Sequence, residues 1–285
     1  MRELLKEEIF SSVETALAAA AEEIIASADR ILLISKPSLY GALAIAPIEA
    51  SLLDLGKPYR RRFTNEAPSS TPFLRILSLV ETDDEILKTN PLRINIGNIV
   101  VDGLRGHLGD NRKGPLTVVA QMHALAQAIF PTSHRLERMR PWLISGNWLD
   151  TALDTTYDPV YSSLRDLLLL QGTIRVAPIT EVSEPDSENY PWLEKTILET
   201  ARKKWNENGS EGKATILSKL AKPALRSSTP SSARLEELIW HCILSDNWKT
   251  DLASQIMKAS RMWEFKPDHI AAGLVTDSLL ASGQI

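Results

Sequence analysis

The side chains able to do chemistry in this chain are sparse and poorly grouped. Five histidines, at 107, 123, 134, 241 and 269, form neither an HExxH motif nor any paired-ligand spacing. Glu237 and His241 stand four residues apart, which on a helix puts them on one face, and an exposed ion pair accounts for them better than a metal does. Cys242 is the single cysteine, so an internal disulfide framework and a thiolate zinc cluster are both excluded. Beside His241 it makes no nucleophile and base pair, because adjacent helix residues point apart, and no GxSxG elbow exists. No cofactor is implied by any of these residues.

Two basic stretches could bind rather than react. Arg60, Arg61 and Arg62 are consecutive, and on a strand Arg60 and Arg62 would share one face with Arg61 on the other. A charged, solvated edge strand is the plain reading, and contact with phosphates or an acidic protein is the functional one. Residues 103–114 carry four glycines with Arg105, Arg112 and Lys113, ahead of a helix expected over 115–130. The segment has neither GxGxxG nor GxxxxGK[ST] spacing, so it reads as a connecting loop whose amides and cations could meet a phosphate at the helix start.

The elements that must position these groups are organised around residues 31–56. Residues 31–35 (ILLIS) form a short apolar run of the buried-strand type, and the following Lys36-Pro37-Ser38-Leu39-Tyr40-Gly41 must turn. Apolar positions from 42 to 55 then recur on one broad helical face, with Pro47 inside and Gly56 placed as a left-handed cap. Residues 59–63 read as the next strand, and strand, helix, strand is the start of a parallel α/β sheet.

The turn at 36–41 resembles a place in the DHH phosphoesterase superfamily, which includes the RecJ exonucleases. In that family the first strand ends in H-x-D-x-D-G, whose His and Asp hold catalytic metal ions. Lys36, Ser38 and Tyr40 stand at those positions here, and only Gly41 is kept. Residues 92–97 (LRINIG) resemble the second metal strand, with Asn95 in place of its aspartate, and 98–104 resemble the third, with Asp102-Gly103-Leu104 in place of D-H-H. A lysine about 4 Å from a divalent ion would be repelled by roughly 8 kcal/mol at an effective dielectric near 20. The resemblance therefore implies a DHH-like fold whose metal site has been lost.

Length and composition set the frame. With 285 residues, a 44% apolar share and a formal net charge of −4, the chain suits one large or two smaller domains and excludes a surface basic throughout. No apolar stretch approaches a membrane span, and Lys6, Glu7 and Glu8 do not suit a secretory signal, so a soluble, cytoplasmic protein with no membrane partner is expected. Residues 2–27 suggest one long amphipathic packing helix. A loop is expected over 64–72, a strand over 73–80, an acidic helix or turn over 81–87, and a break at Asn90-Pro91, giving a sheet of about five strands.

Residues 135–150 are expected to be helical. Asp158-Pro159 marks a helix start, running to Gly172, and 173–177 suggests a strand. The acidic, Pro-containing segment 178–189 reads as a linker. The expected organisation is thus a DHH-like α/β domain over 1–180, a linker over 181–190 and an all-helical region over 191–285. The helices of that region are placed at 191–206, 213–220, 232–244, 248–261 and 267–280. Five of the seven tryptophans lie in it, as core or as partner anchors.

A DHH fold without its metal ligands resembles the archaeal relatives of the eukaryotic cell-division-cycle replication factor that joins the MCM helicase to the GINS complex. That resemblance implies a non-catalytic replication scaffold that binds GINS, MCM or both, with single-stranded DNA as a further partner. The alternatives are a metal-dependent phosphoesterase or exonuclease using Asp102, and a free-standing single-stranded nucleic-acid-binding protein.

Overall fold

The structure is a computed structural model and describes residues 2–64, 66, 72–76, 86–89, 92–105, 109–155, 157–186, 192–226 and 230–285. The chain opens with two short 3-10 turns, Leu4–Lys6 and Glu8–Phe10, before helix α1 (Glu14–Ala26). The single helix expected over 2–27 is therefore broken. Ser11 and Ser12 sit at the break, where short hydroxyl side chains compete with helical hydrogen bonding. Leu17, Ala20, Ala21 and Ile24 are the buried face of α1.

Strand β1 (Ile31–Ser35) is buried along its whole length, as an apolar run in the middle of a sheet should be. Helix α2 (Leu39–Leu55) follows, three residues earlier than the apolar pattern from 42 suggests, because the Ser38 hydroxyl accepts from the Gly41 amide and caps it. It runs through Pro47 and ends at Gly56, whose φ of 73° is the left-handed conformation that glycine adopts without strain. Strands β2 (Tyr59–Phe63), β3 (Phe73–Ile76), β4 (Leu87–Thr89) and β5 (Leu92–Ile96) complete a five-stranded sheet of order β2-β1-β3-β5-β4. All neighbours are parallel except β4 with β5. Most of the loop expected over 64–72, the end of the strand expected over 73–80, the acidic segment 81–85 and Asn90-Pro91 lie outside the described residues.

The fifth strand is not the one the sequence suggested. Strand β6 (Ile99–Arg105) leaves the sheet and pairs antiparallel with β7 (Asn111–Leu116). Only Gly97 and Asn98 separate β5 from β6, and a return to a parallel neighbour needs a crossover of a dozen or more residues. Residues 103–105 and 111–114, expected as loop, and 115–116, expected as the start of a helix, consequently belong to the two arms of a hairpin.

Helix α3 (Val118–Ile129) packs on α1 and α2. The region 135–150 is helical in pieces: α4 (His134–Met139), a 3-10 turn (Arg140–Ile144) and α5 (Ser145–Leu149). After α6 (Ala152–Thr155), α7 (Pro159–Leu170) starts as expected, with the Asp158 carboxylate accepting from the Val160 and Tyr161 amides. Strand β8 (Arg175–Ala177) comes next. The following segment is no free tether up to residue 186: Ile179, Thr180 and Val182 are buried and the Glu184 amide donates to Lys249 O. Its charged residues face outward while its apolar ones enter the core, which composition alone does not reveal.

The C-terminal region is helical: α8 (Lys195–Trp205), α9 (Ser210–Ala221), α10 (Ser232–Ile239), α11 (Leu252–Ser260), α12 (Met262–Phe265) and α13 (Asp268–Ser282). Among its described residues is one strand, β9 (Cys242–Leu244), where the sequence suggested the end of a helix, and β9 pairs antiparallel with β8. A short apolar run such as Cys242-Ile-Leu244 suits either state, and its partner strand decides it. These elements pack on the α/β part at several points. Helix α13 lies against α2, the Trp142 and Trp248 rings are 5.7 Å apart, and Trp142 Nε1 donates to Gly283 O.

Candidate functional site

In an open α/β sheet, ligands bind outside the carboxyl ends of the strands where the strand order reverses. Here β2 lies on one side of β1 and β3 on the other, so the reversal falls between β1 and β3. A crevice of about 270 Å³ occupies that place, walled by the turn after β1 (Ser35, Lys36, Ser38, Tyr40, Gly41), Ile76 at the end of β3, Asn98, Leu149 and Asp150. Gly41 is required by close approach, since a side chain there would run into the Ser35 side chain and the Lys36 carbonyl. Trp263 Nε1 on α12 donates to Pro37 O at 3.1 Å and holds the turn from the outside.

Three of the sequence-identified positions, Lys36, Ser38 and Tyr40, do meet in this crevice. Lys36 is exposed, and Ser38 is committed to capping α2. Tyr40 Oη donates to Asn98 Oδ1 at 2.6 Å, and the Val118 amide, the first of α3, donates to both Asn98 Oδ1 (2.8 Å) and Tyr40 Oη (3.1 Å). Burial pushes the Tyr40 phenol up to about 12, so it stays a proton donor at neutral pH. Gln121 Nε2 donates to Gly97 O and Leu116 O, fixing the backbone on either side. Among the described residues the crevice carries one cation and one carboxylate, Lys36 and Asp150, around a hydrogen-bonded joint that ties the β1 turn to α3.

Asn95 and Asp102 are elsewhere. Asn95 lies within β5 in register with Arg75 and is not part of the crevice wall. Asp102 is exposed on β6, accepts from Asn111 Nδ2 at 3.2 Å and lines a different cavity of about 690 Å³, together with Glu7, Glu8 and Lys113. Asp102 and Lys113 face each other across the hairpin. Arg105 ends β6 opposite Asn111, and Arg112 is exposed near Asp110 at 3.8 Å. At the start of α3 the Val118 amide is taken by Asn98 and Tyr40, and the Ala120 amide by the Thr117 hydroxyl. A phosphate at that helix start would have to displace these bonds.

The arginine run lies on β2, the sheet's outer strand, as an edge managed by charge would. Arg61 pairs with Glu49 on α2 (3.3 Å) and with Asp277 on α13 (2.7 Å), while Arg60 and Arg62 are exposed. The strand registers put Arg60, Leu32, Phe73 and Arg93 in one row and Arg62, Ile34, Arg75 and Asn95 in the next, all on one face of the sheet. Arg75 and Arg93 are engaged in interactions of their own.

Sequence reasoning placed Glu237 and His241 correctly as a pair, at 3.1 Å, but as an exposed one. Glu237 is buried, and its carboxylate also takes Arg165 Nη1 at 2.6 Å and Tyr161 Oη at 2.9 Å. The burial keeps the Tyr161 phenol well above its ordinary pKa, with the neighbouring Glu237 charge adding to the effect. The signal available was a pair of i,i+4 placements, Tyr161 with Arg165 and Glu237 with His241, whose meeting depends on the packing of two helices. Asn98 and Asp150 were missed because nothing in their local sequence marks them.

Among the described residues no group of three or more His, Cys, Asp or Glu side chains is placed to hold a metal ion, and no helix is long and apolar enough to cross a membrane. The chain matches no protein-family model and no curated protein sequence.

Proposed function

We propose that this chain is a non-catalytic scaffold of the archaeal replicative helicase assembly, binding the GINS complex, the MCM helicase or both, on a RecJ-like frame whose metal ligands are lost. The observation that carries the reading is the crevice between β1 and β3. Where the resembled phosphoesterases gather His and Asp side chains, this chain presents the Lys36 ammonium and spends Tyr40 and Asn98 on a joint with α3. A dinuclear metal centre needs several anionic oxygens converging on one point. The one aspartate kept from the metal motifs, Asp102, lines another cavity.

The identities of the partners rest on the sequence resemblance, and the surface that suits them is the β2 edge with its exposed Arg60 and Arg62. Size-exclusion chromatography of the chain mixed with purified GINS should give co-elution. A labelled single strand incubated with manganese should stay intact. Manganese-dependent cleavage that disappears in Asp102→Ala would overturn the proposal in favour of a phosphoesterase.

A second reading, single-stranded nucleic-acid binding, is favoured by the arginines sharing one sheet face. Its mark is an affinity that falls steeply with salt and weakens when Arg60 and Arg62 are neutralised, each lost phosphate contact lowering the salt slope by about 0.7.

A further inference from the structure

Helices α8 and α9 are joined by residues 206–209 and pack against each other as a helical hairpin. Helix α8 buries Leu198, Ala201 and Trp205, and α9 buries Leu217, Leu220 and Ala221. Their apolar side chains do not stop at these buried faces. Ile197 is 40% exposed and Ile216 is half-buried, and both line a groove of about 320 Å³ between the two helices. Ala201 and Leu220 complete its apolar lining. Isoleucine is a poorer helix former than alanine or leucine, so helix formation does not account for either isoleucine.

The charge at the groove has one sign. Among the described residues its charged lining groups are Lys204 and Lys219, both exposed and neither in an ion pair with a described residue. Lys213, by contrast, lies over the Trp205 ring at 4.9 Å. Residues 195–226 hold eight Lys and Arg against three Glu, in a chain whose formal net charge is −4. Positive charge is thus concentrated here against the sign of the whole, and an acidic partner is steered to it.

The form of that partner follows from the walls. Both are helices whose backbone groups are paired internally, so an extended peptide would find no backbone partners, whereas a helix brings its own hydrogen bonds. From 197 to 204 the α8 wall rises about 10 Å, two turns, which an occupant helix matches with apolar residues at i, i+4 and i+7.

We propose that this groove docks an acidic amphipathic helix of another protein, its apolar face against Ile197, Ile216 and Leu220 and its carboxylates against Lys204 and Lys219. The groove shares no residue with the crevice between β1 and β3 or with the β2 edge, and the proposal does not depend on which assembly the chain serves.

The test is fluorescence anisotropy of the full chain with a labelled peptide of about 18 residues, long enough to form a helix, built from Leu, Ala and Glu with the Leu residues on one face. Its controls are the same peptide with Lys for Glu, one of the same composition with the Leu positions scrambled, and a single-stranded DNA oligonucleotide. The expected result is saturable binding of the acidic peptide below millimolar concentration, weakened by salt, and about tenfold weaker for the basic and scrambled peptides. Ile197→Glu should weaken it about tenfold, and the double change Lys204→Glu, Lys219→Glu several-fold, each at an unchanged Tm. No saturation by the acidic peptide, equal binding of the basic or scrambled one, or an undiminished affinity in both variants overturns the proposal. Binding of the oligonucleotide but of no peptide overturns it in favour of nucleic acid. Self-association of the chain alone that Ile197→Glu abolishes overturns it in favour of a second copy. Should Ile197→Glu not fold, an undiminished affinity in the lysine variant is by itself enough to overturn it.

Discussion

Replacing Glu49 by Gln should flatten the pH dependence of stability between pH 5 and 8. Glu49 lies on α2, 2% exposed, and accepts from Tyr59 Oη at 3.0 Å and Arg61 Nη1 at 3.3 Å. Burial raises its pKa from 4.5 to about 7, outweighing the pull of the Arg61 charge and the Tyr59 hydrogen bond, and Asp277 adds a smaller upward push. The folded protein thus holds this proton more tightly than the unfolded chain. Its contribution is fully present below about pH 4.5 and is lost as pH rises through about 7. At about 1.4 kcal/mol per pH unit, the wild type should lose about 2 to 3 kcal/mol between pH 5 and 8 from this group alone. The amide that replaces the carboxyl carries no titrating proton, so Glu49→Gln should lack that part of the slope. Urea unfolding of both proteins at pH 5, 6, 7 and 8 gives the difference directly. Curves that stay parallel within about 0.5 kcal/mol would refute the assignment of a buried carboxyl that titrates near 7.

Three further outcomes follow from the packing. Tyr40→Phe removes the hydroxyl shared by Asn98 and the Val118 amide and should cost about 1 to 2 kcal/mol in urea unfolding; an unchanged midpoint means that the joint does not hold α3. Glu237→Ala removes the buried partner of the Tyr161 hydroxyl and of Arg165 Nη1, leaving Arg165 its Asp166 pair, and should cost about 2 to 4 kcal/mol, whereas a cost under about 1 kcal/mol would mean a solvated surface pair. The double change Arg60→Glu and Arg62→Glu should leave the unfolding midpoint within about 0.5 kcal/mol of wild type and abolish partner or DNA retention on an affinity column; retention without loss would move the contact away from the β2 edge.

The elements from β1 to β2 were legible in the sequence because their signals are local. An apolar pentad, a helical face and a terminal glycine lie within one continuous stretch. The hairpin was misjudged by treating β6 as a sheet member although two residues connect it to β5, and counting that connection would have corrected it. Strand β9 and the packed segment around Val182 were not legible, since each is decided by a partner distant in the chain. The same holds for the crevice. Lys36, Ser38 and Tyr40 are close in sequence and were found, whereas Asn98 is 58 residues from Tyr40. Glu237 meets Tyr161 across 76 residues and Arg165 across 72, so its burial could not be read from its own helix.

The proposed role is tested most directly by recovering the tagged protein from an extract of its own cells at moderate salt and identifying by mass spectrometry what stays bound. The scaffold reading predicts stoichiometric GINS subunits or MCM, retained after nuclease treatment and lost from the Arg60→Glu, Arg62→Glu protein if the β2 edge is the contact. Recovery of nucleic acid alone, with neither assembly present, would contradict it.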